Sequence, residues 1–181
     1  NVKFYNINFI NGKAVDGGAI YGGNAYNCFF RENTAERDGG AIYGGNATDC
    51  TFNFNAAERD GGAITQGNVY NSTFIQNHAD NLGGAIHLGN ATDCTFTSNT
   101  AGTGGAISQG NVYNSTFILN RADNVGGAIY LGNATDCTFT SSTAETGGAM
   151  YGGNAYNCTF KENKAHSYGG AMYRCDATDC T

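Results

Sequence analysis

The stretch "NATDCTF" at residues 90–96 gathers Asn, Asp, Cys and Thr, four side chains that can do chemistry, into seven positions. Taken alone it offers three chemistries: an N-glycosylation sequon, a pair of metal ligands, or a thiol nucleophile beside an acid. The same seven letters recur at 46–52 and 133–139, and "DATDCT" occupies 176–181. A catalytic constellation is seldom repeated along a chain, so the residues have to be read against the elements that carry them.

Those elements are set by an internal repeat. Gly-Gly-Ala recurs with its Ala at 19, 41, 63, 85, 106, 128, 149 and 171, in steps of 22 or 21 residues. Aligned on that Ala, the next column is Ile or Met throughout. The column eleven places on is Phe (Phe30, Phe52, Phe74, Phe96, Phe117, Phe139, Phe160), and sixteen places on it is Ala. The one-residue deletions fall between that last Ala and the following Gly-Gly, where a corner loop can absorb them. A unit with one Phe and one Ile buries nothing alone, but stacked units form continuous apolar columns. Helical solenoids use longer units of about 33–47 residues. The short apolar runs among Gly, Asn and Thr instead read as strands joined by tight corners, in an all-β single-stranded parallel β-helix of about eight coils. At ~4.8 Å per rung such a rod is roughly 38 Å long.

Alternation within "CTF" points Cys and Phe inward and Thr outward. Within "GGAIY" it points Ile inward, so that Ala19 and Tyr21, with their equivalents, face outward. The Ala/Val column six places after Ala also points inward, which requires a bend or bulge at the residue before each Cys.

Composition narrows the function. The chain has 181 residues, 28 Gly, no Pro, no Trp and a net charge of -6. Acidity argues against nucleic acid, and no apolar run is long enough to span a membrane. Asn and Asp alternate strictly before the Cys column, with Asp49, Asp93, Asp136 and Asp179 on every other coil. Interleaved Asn separates the carboxylates and offers amides to those above and below. One residue earlier, Tyr26, Tyr70, Tyr113 and Tyr156 alternate with Thr. Together they form an outward strip, aromatic and acidic, on which Tyr26, Tyr70, Tyr113, Tyr156, Asp49, Asp93 and Asp136 are the candidate binding residues. Further Asn columns, from Asn24 to Asn154 and from Asn33 to Asn163, read as stacked amide ladders at left-handed corners. Sequons stand at Asn46, Asn71, Asn90, Asn114, Asn133 and Asn157; the outward ones are the candidate glycosylation sites.

The Cys column reads as a reduced packing ladder. Cys94 lies between Ser72 and Ser115 and has no thiol neighbour in its column, although rung spacing alone permits a disulfide elsewhere. Carboxylates in a single row without a facing wall do not make a glycosidase pair, and His78, His87 and His166 fall in three different columns. Neither a catalytic site, nor a metal, nor a cofactor is expected. Regular Thr rows raise ice binding, but only two rungs give Thr-x-Thr.

"GGA[I/M]" paired with "F-x-x-N" resembles the repeat signature of the polymorphic outer-membrane protein family of surface adhesins. The fuller form, "NCTF…NxA…GGAIY", resembles adhesin-like cell-surface proteins of methanogenic archaea. "FTSN" 96–99, "FILN" 117–120 and "FKEN" 160–163 fit, whereas "FTSS" 139–142 departs. The resemblance implies a right-handed β-helix from the stalk or binding region of a secreted, extracellular adhesin. Residues 1–181 then read as one repeat array excerpted from a longer surface protein. Its expected role is non-enzymatic attachment or display, with an ice-binding or filament-forming solenoid, or a polysaccharide-active enzyme, as alternatives. The expected partner is a surface glycan, a host or neighbouring cell surface, or another rod.

Overall fold

The computed structural model describes residues 2–181. Every strand pair is parallel, and each coil repeats four short strands. In one coil these are Ile42–Tyr43, Ala47–Thr48, Thr51–Asn53 and Ala56–Ala57. Between them the chain turns at Gly44 (φ 69°), Asp49 (φ 55°), Phe54 (φ 56°) and Gly61 (φ 65°), all left-handed. The Phe strands stack into one eight-stranded sheet and the Ala-corner strands into another. The Ile and Ala/Val strands join into a fifteen-stranded sheet through the continuous strand Met150–Tyr156.

Like sits on like, as the columns require. Ile42 pairs with Ile64, Phe52 with Phe74 and Ala57 with Ala79. From Phe9 to Phe160 the rings stack at centroid separations of 4.6 to 4.9 Å. The Ile, Cys and Ala/Val columns are buried beside them. The bend expected before each Cys is present: Asn27, Asp49, Asn71, Asp93, Asn114, Asp136, Asn157 and Asp179 all have positive φ. Asn and Asp tolerate that conformation best among non-glycine residues.

The structure corrects four sequence expectations. The Ala of Gly-Gly-Ala faces inward, fully buried at Ala41, Ala63, Ala85, Ala106, Ala128 and Ala149. It lies in the bend before the Ile strand, where strand alternation does not operate. The Tyr21 column is exposed at its N-terminal end but buried at Thr65, His87 and Ser108. Those side chains lie in a crease beside the preceding corner, and Thr65 Oγ1 donates to the Asp60 carbonyl at 2.9 Å. The one-residue deletions are absorbed within paired strands: Ala79 aligns with Ala101 but Leu82 with Thr103, with a bulge between. Finally, the left-handed corner precedes the Asn33 column, at Glu32, Phe54, Gln76, Ser98, Leu119, Ser141 and Glu162.

The Asn33 column has a different task. Asn77 is fully buried. Its Oδ1 accepts from Asn55 N and Asn55 Nδ2, both at 3.0 Å. Its Nδ2 donates to Phe52 O and to Asn99 Oδ1, both at 3.0 Å. That uses the full bonding capacity of an amide. The Asn of "F-x-x-N" therefore clasps the coil on either side and bonds the carbonyl of the Phe one coil back. Ser142 interrupts this ladder, and its buried Oγ has no partner among the described residues.

Two mutations test this architecture. Phe96→Ala should cost about 3–5 kcal/mol in denaturant unfolding, whereas Thr95→Ala should stay within about 0.5 kcal/mol; equal losses contradict the orientation. Ser142→Asn should restore the interrupted ladder and raise stability by about 1–2 kcal/mol; an unchanged or lower denaturation midpoint contradicts the ladder's contribution.

Candidate functional site

The acid and the thiol of "TDC" do not meet. Asp49, Asp93 and Asp136 are exposed at left-handed corners, whereas Cys50, Cys94 and Cys137 are buried. Each of these thiols donates to the carbonyl two residues back, at 3.1 Å (Thr48, Thr92 and Thr135). Ser72 and Ser115 make the same bond at 2.7 Å, so Ser and Cys exchange in this column. Burial pushes the Cys50 and Cys94 thiols up to about 11, away from nucleophile character. All seven cysteines are free thiols.

The outward strip rests on strands such as Asn24–Tyr26, Ala47–Thr48 and Val69–Tyr70. Tyr70, Tyr113 and Tyr156 are 50%, 46% and 51% exposed, and Tyr26 is half-buried against Tyr5, its ring stacked at 4.9 Å. The interleaved Asn amides bond in one direction only. Asn71, Asn114 and Asn157 donate at 2.6 Å to Oδ1 of Asp49, Asp93 and Asp136, each on the preceding coil. Among the described residues no salt bridge reaches these three carboxylates.

The sequon residues divide along the same lines. Asn71, Asn114 and Asn157 have their amides committed to Asp, and Asn133 donates to Asn111 Oδ1 at 2.9 Å. Asn46 and Asn90 are exposed, with only their Oδ1 atoms engaged, by the N–H groups of Asn68 and Asn111 at 2.9 Å.

Three clusters escape a column-by-column reading because they combine residues of different columns or coils. His78 Nδ1 lies 2.8 Å from Thr100 Oγ1, and its Nε2 lies 3.0 Å from Asp80 Oδ1. This order of hydroxyl, imidazole and carboxylate resembles a hydrolytic triad. However, the Thr100 and Arg121 N–H groups are spent on Asn77 and Asn99 carbonyls, so neither is free to hold an oxyanion. At the Asp-Gly-Gly corners, Arg37 pairs with Asp16 and Arg59 with Asp38, and the Arg37 guanidinium holds Asp16 below the usual carboxylate range. In the crease, burial lowers the His87 pKa, and both His87 Nδ1 and Ser108 Oγ are buried without a partner among the described residues.

Residues 27–45, 71–89, 93–109 and 114–132 match the Chlamydia polymorphic membrane protein repeat. The chain is similar to that repeat. No curated protein and no solved structure matches the chain. The matched repeat points to an outer-membrane or cell-surface protein, and the parallel β-solenoid fits one. Each matched segment runs from an Asn or Asp corner through the Cys, Phe and Asn columns and past Gly-Gly-Ala. The strand carrying the outward Tyr and Thr lies outside all four. What the chain shares with the repeat is the scaffold.

In denaturant without reductant, at least five thiols should titrate, and reductant should barely change the melting temperature. In the native state, Cys50 and Cys94 should react far more slowly, because burial lowers their thiolate population about a hundredfold. Three disulfides found by mass spectrometry contradict both expectations.

Proposed function

We propose that this chain is a non-enzymatic, extracellular adhesin rod that attaches through one side. The observation that carries the reading is the division of labour among its columns. Phe, the Asn of "F-x-x-N" and the Ala-Ile of the Gly-Gly-Ala units are mostly buried in core and ladder. In the intact rod these buried residues have no surface to offer a partner. The side strip of Tyr26, Tyr70, Tyr113 and Tyr156 with Asp49, Asp93 and Asp136 is outward, recurs every two coils and lies largely outside the segments that match the repeat. The surface location suggested by that repeat supports the adhesin role, as does the resemblance of the fuller motif to methanogen adhesin-like proteins.

A strip of this kind binds by number. Each Tyr offers a modest aromatic contact, and several engaged together on one polymeric or multivalent partner multiply the affinity. The rigid stack keeps the contacts in line, so little conformational entropy is lost on binding.

The test replaces Tyr70 and Tyr113 together with Thr, the residue that alternate coils already carry. The circular dichroism spectrum and unfolding midpoint should be retained, while adhesion of protein-coated beads to a responsive cell surface should fall about tenfold or more. Retained fold with unchanged adhesion removes the strip from the binding role.

A further inference from the structure

We infer that the side strip is built for an uncharged, extended β-linked polysaccharide lying parallel to the rod axis, with one disaccharide to each pair of coils. The inference rests on the adhesin reading above and names the chemistry of its partner.

The first observation is a row of free donors. Oδ1 of Asn46, Asn68 and Asn90 accepts the N–H of the corresponding Asn on the next coil, at 2.9, 3.0 and 2.9 Å. The bond fixes each amide with its oxygen in the ladder, and among the described residues its Nδ2 donates to no protein group. Each amide is therefore held with two hydrogens to offer.

Acceptors run beside the donors. Asp49 and Asp93 receive one Asn amide each, on Oδ1, which leaves Oδ2 without a partner among the described residues. Aromatic faces complete the set. Tyr70 and Tyr113 are two coils apart, ~9.6 Å by rung spacing. At that distance the rings cannot cover one another; their neighbours on the adjacent coils are the smaller Thr48, Thr92 and Thr135, and about half of each Tyr stays exposed. Tyr5 and Tyr26 provide the internal contrast: on adjacent coils their rings close on each other at 4.9 Å.

Amide donors on consecutive coils, with carboxylate acceptors and a half-exposed aromatic ring once per two coils, match the surface of a pyranose. Its C–H face lies on the ring, and its hydroxyls bond to both amide and carboxylate. A β-1,4-linked chain turns the same face toward one side at every second sugar, so its repeat and the rod's repeat both alternate. The floor at the N-terminal end of the strip is open. Gly22, Gly23, Gly44 and Gly45, with Asn24 and Asn46, border a shallow groove of about 560 Å³ that Val2 and Gln66 also line.

Charge selects among polysaccharides. The strip carries carboxylates without paired cations, and the protein has a net charge of -6. Uronic and sulfated chains are therefore repelled, whereas neutral chains are not.

The experiment titrates the intact chain by calorimetry with cello-oligosaccharides and with N-acetylated chito-oligosaccharides of two to eight sugars. Oligogalacturonides serve as the anionic comparison. At least one neutral series should bind, with affinity rising about three- to tenfold for each added disaccharide as another Tyr is engaged. Tyr70→Thr with Tyr113→Thr should abolish that rise without changing the fold. Absence of binding by both neutral series, affinity independent of length, or equal binding of oligogalacturonides overturns the inference. Bead adhesion, measured in parallel, separates it from the reading beneath it. Adhesion that depends on Tyr70 and Tyr113 but is untouched by saturating oligosaccharide keeps the adhesin strip and rejects the glycan. Adhesion indifferent to both rejects the strip itself.

Discussion

The coil-to-coil ladder is the constraint on which everything else in this molecule depends. Backbone N–H groups reach across to carbonyls of the adjacent coil, typically at 2.8 to 3.2 Å, including at corners where an isolated turn would leave them to water. In a solenoid this demand fixes coil length, because a residue added or lost displaces every later column. The chain tolerates 21-residue steps only where a bulge beside the Ala corner returns the register, as between Ala79 and Leu82. The buried Asn ladder serves the same demand. It bonds amide to amide, and amide to backbone, through a region where no water is available to complete the bonds.

This ladder also explains how left-handed corners can hold residues that ordinarily avoid them. Phe54, Leu88, Leu119 and Leu131 all adopt positive φ with side chains substantially exposed. Each costs of order 1–2 kcal/mol in backbone strain alone. The neighbouring coils impose the corner on each residue, and the bonds on either side offset the cost. Stability is thereby distributed along the stack, as in other repeat arrays in which each unit leans on its neighbours.

With interior and corners committed to stacking, only the outward columns are free to differ. The segments shared with the polymorphic membrane protein repeat carry mainly residues that build the stack. The outward strand between them carries the Tyr–Thr alternation. A signature made of core residues describes architecture better than it describes binding.

The sequence by itself determined the coil length, the coil count, the inward Phe, Ile, Cys and Ala/Val columns, and the bend before each Cys. These follow from periodicity and alternation, which hold wherever the chain is in a strand. It also made the Tyr and Asp columns of the strip legible, since residues in one column must stack. Tertiary structure decided what happens at corners. There alternation fails, so Ala41 turns inward although its place beside Ile42 predicts the opposite. There, too, φ is set by adjacent coils, so left-handed residues include Phe54 and Leu119, whose own preferences give no sign of it. The amide directions were likewise decided in three dimensions. Asn77 and Asn68 are the same residue type at the same period, yet one is sealed in a four-bond ladder and the other has its donors turned to solvent. The difference lies in which carbonyls and N–H groups the fold brings within reach. The grouping of Thr100, His78 and Asp80 arises for the same reason, from residues that become neighbours only when two coils stack.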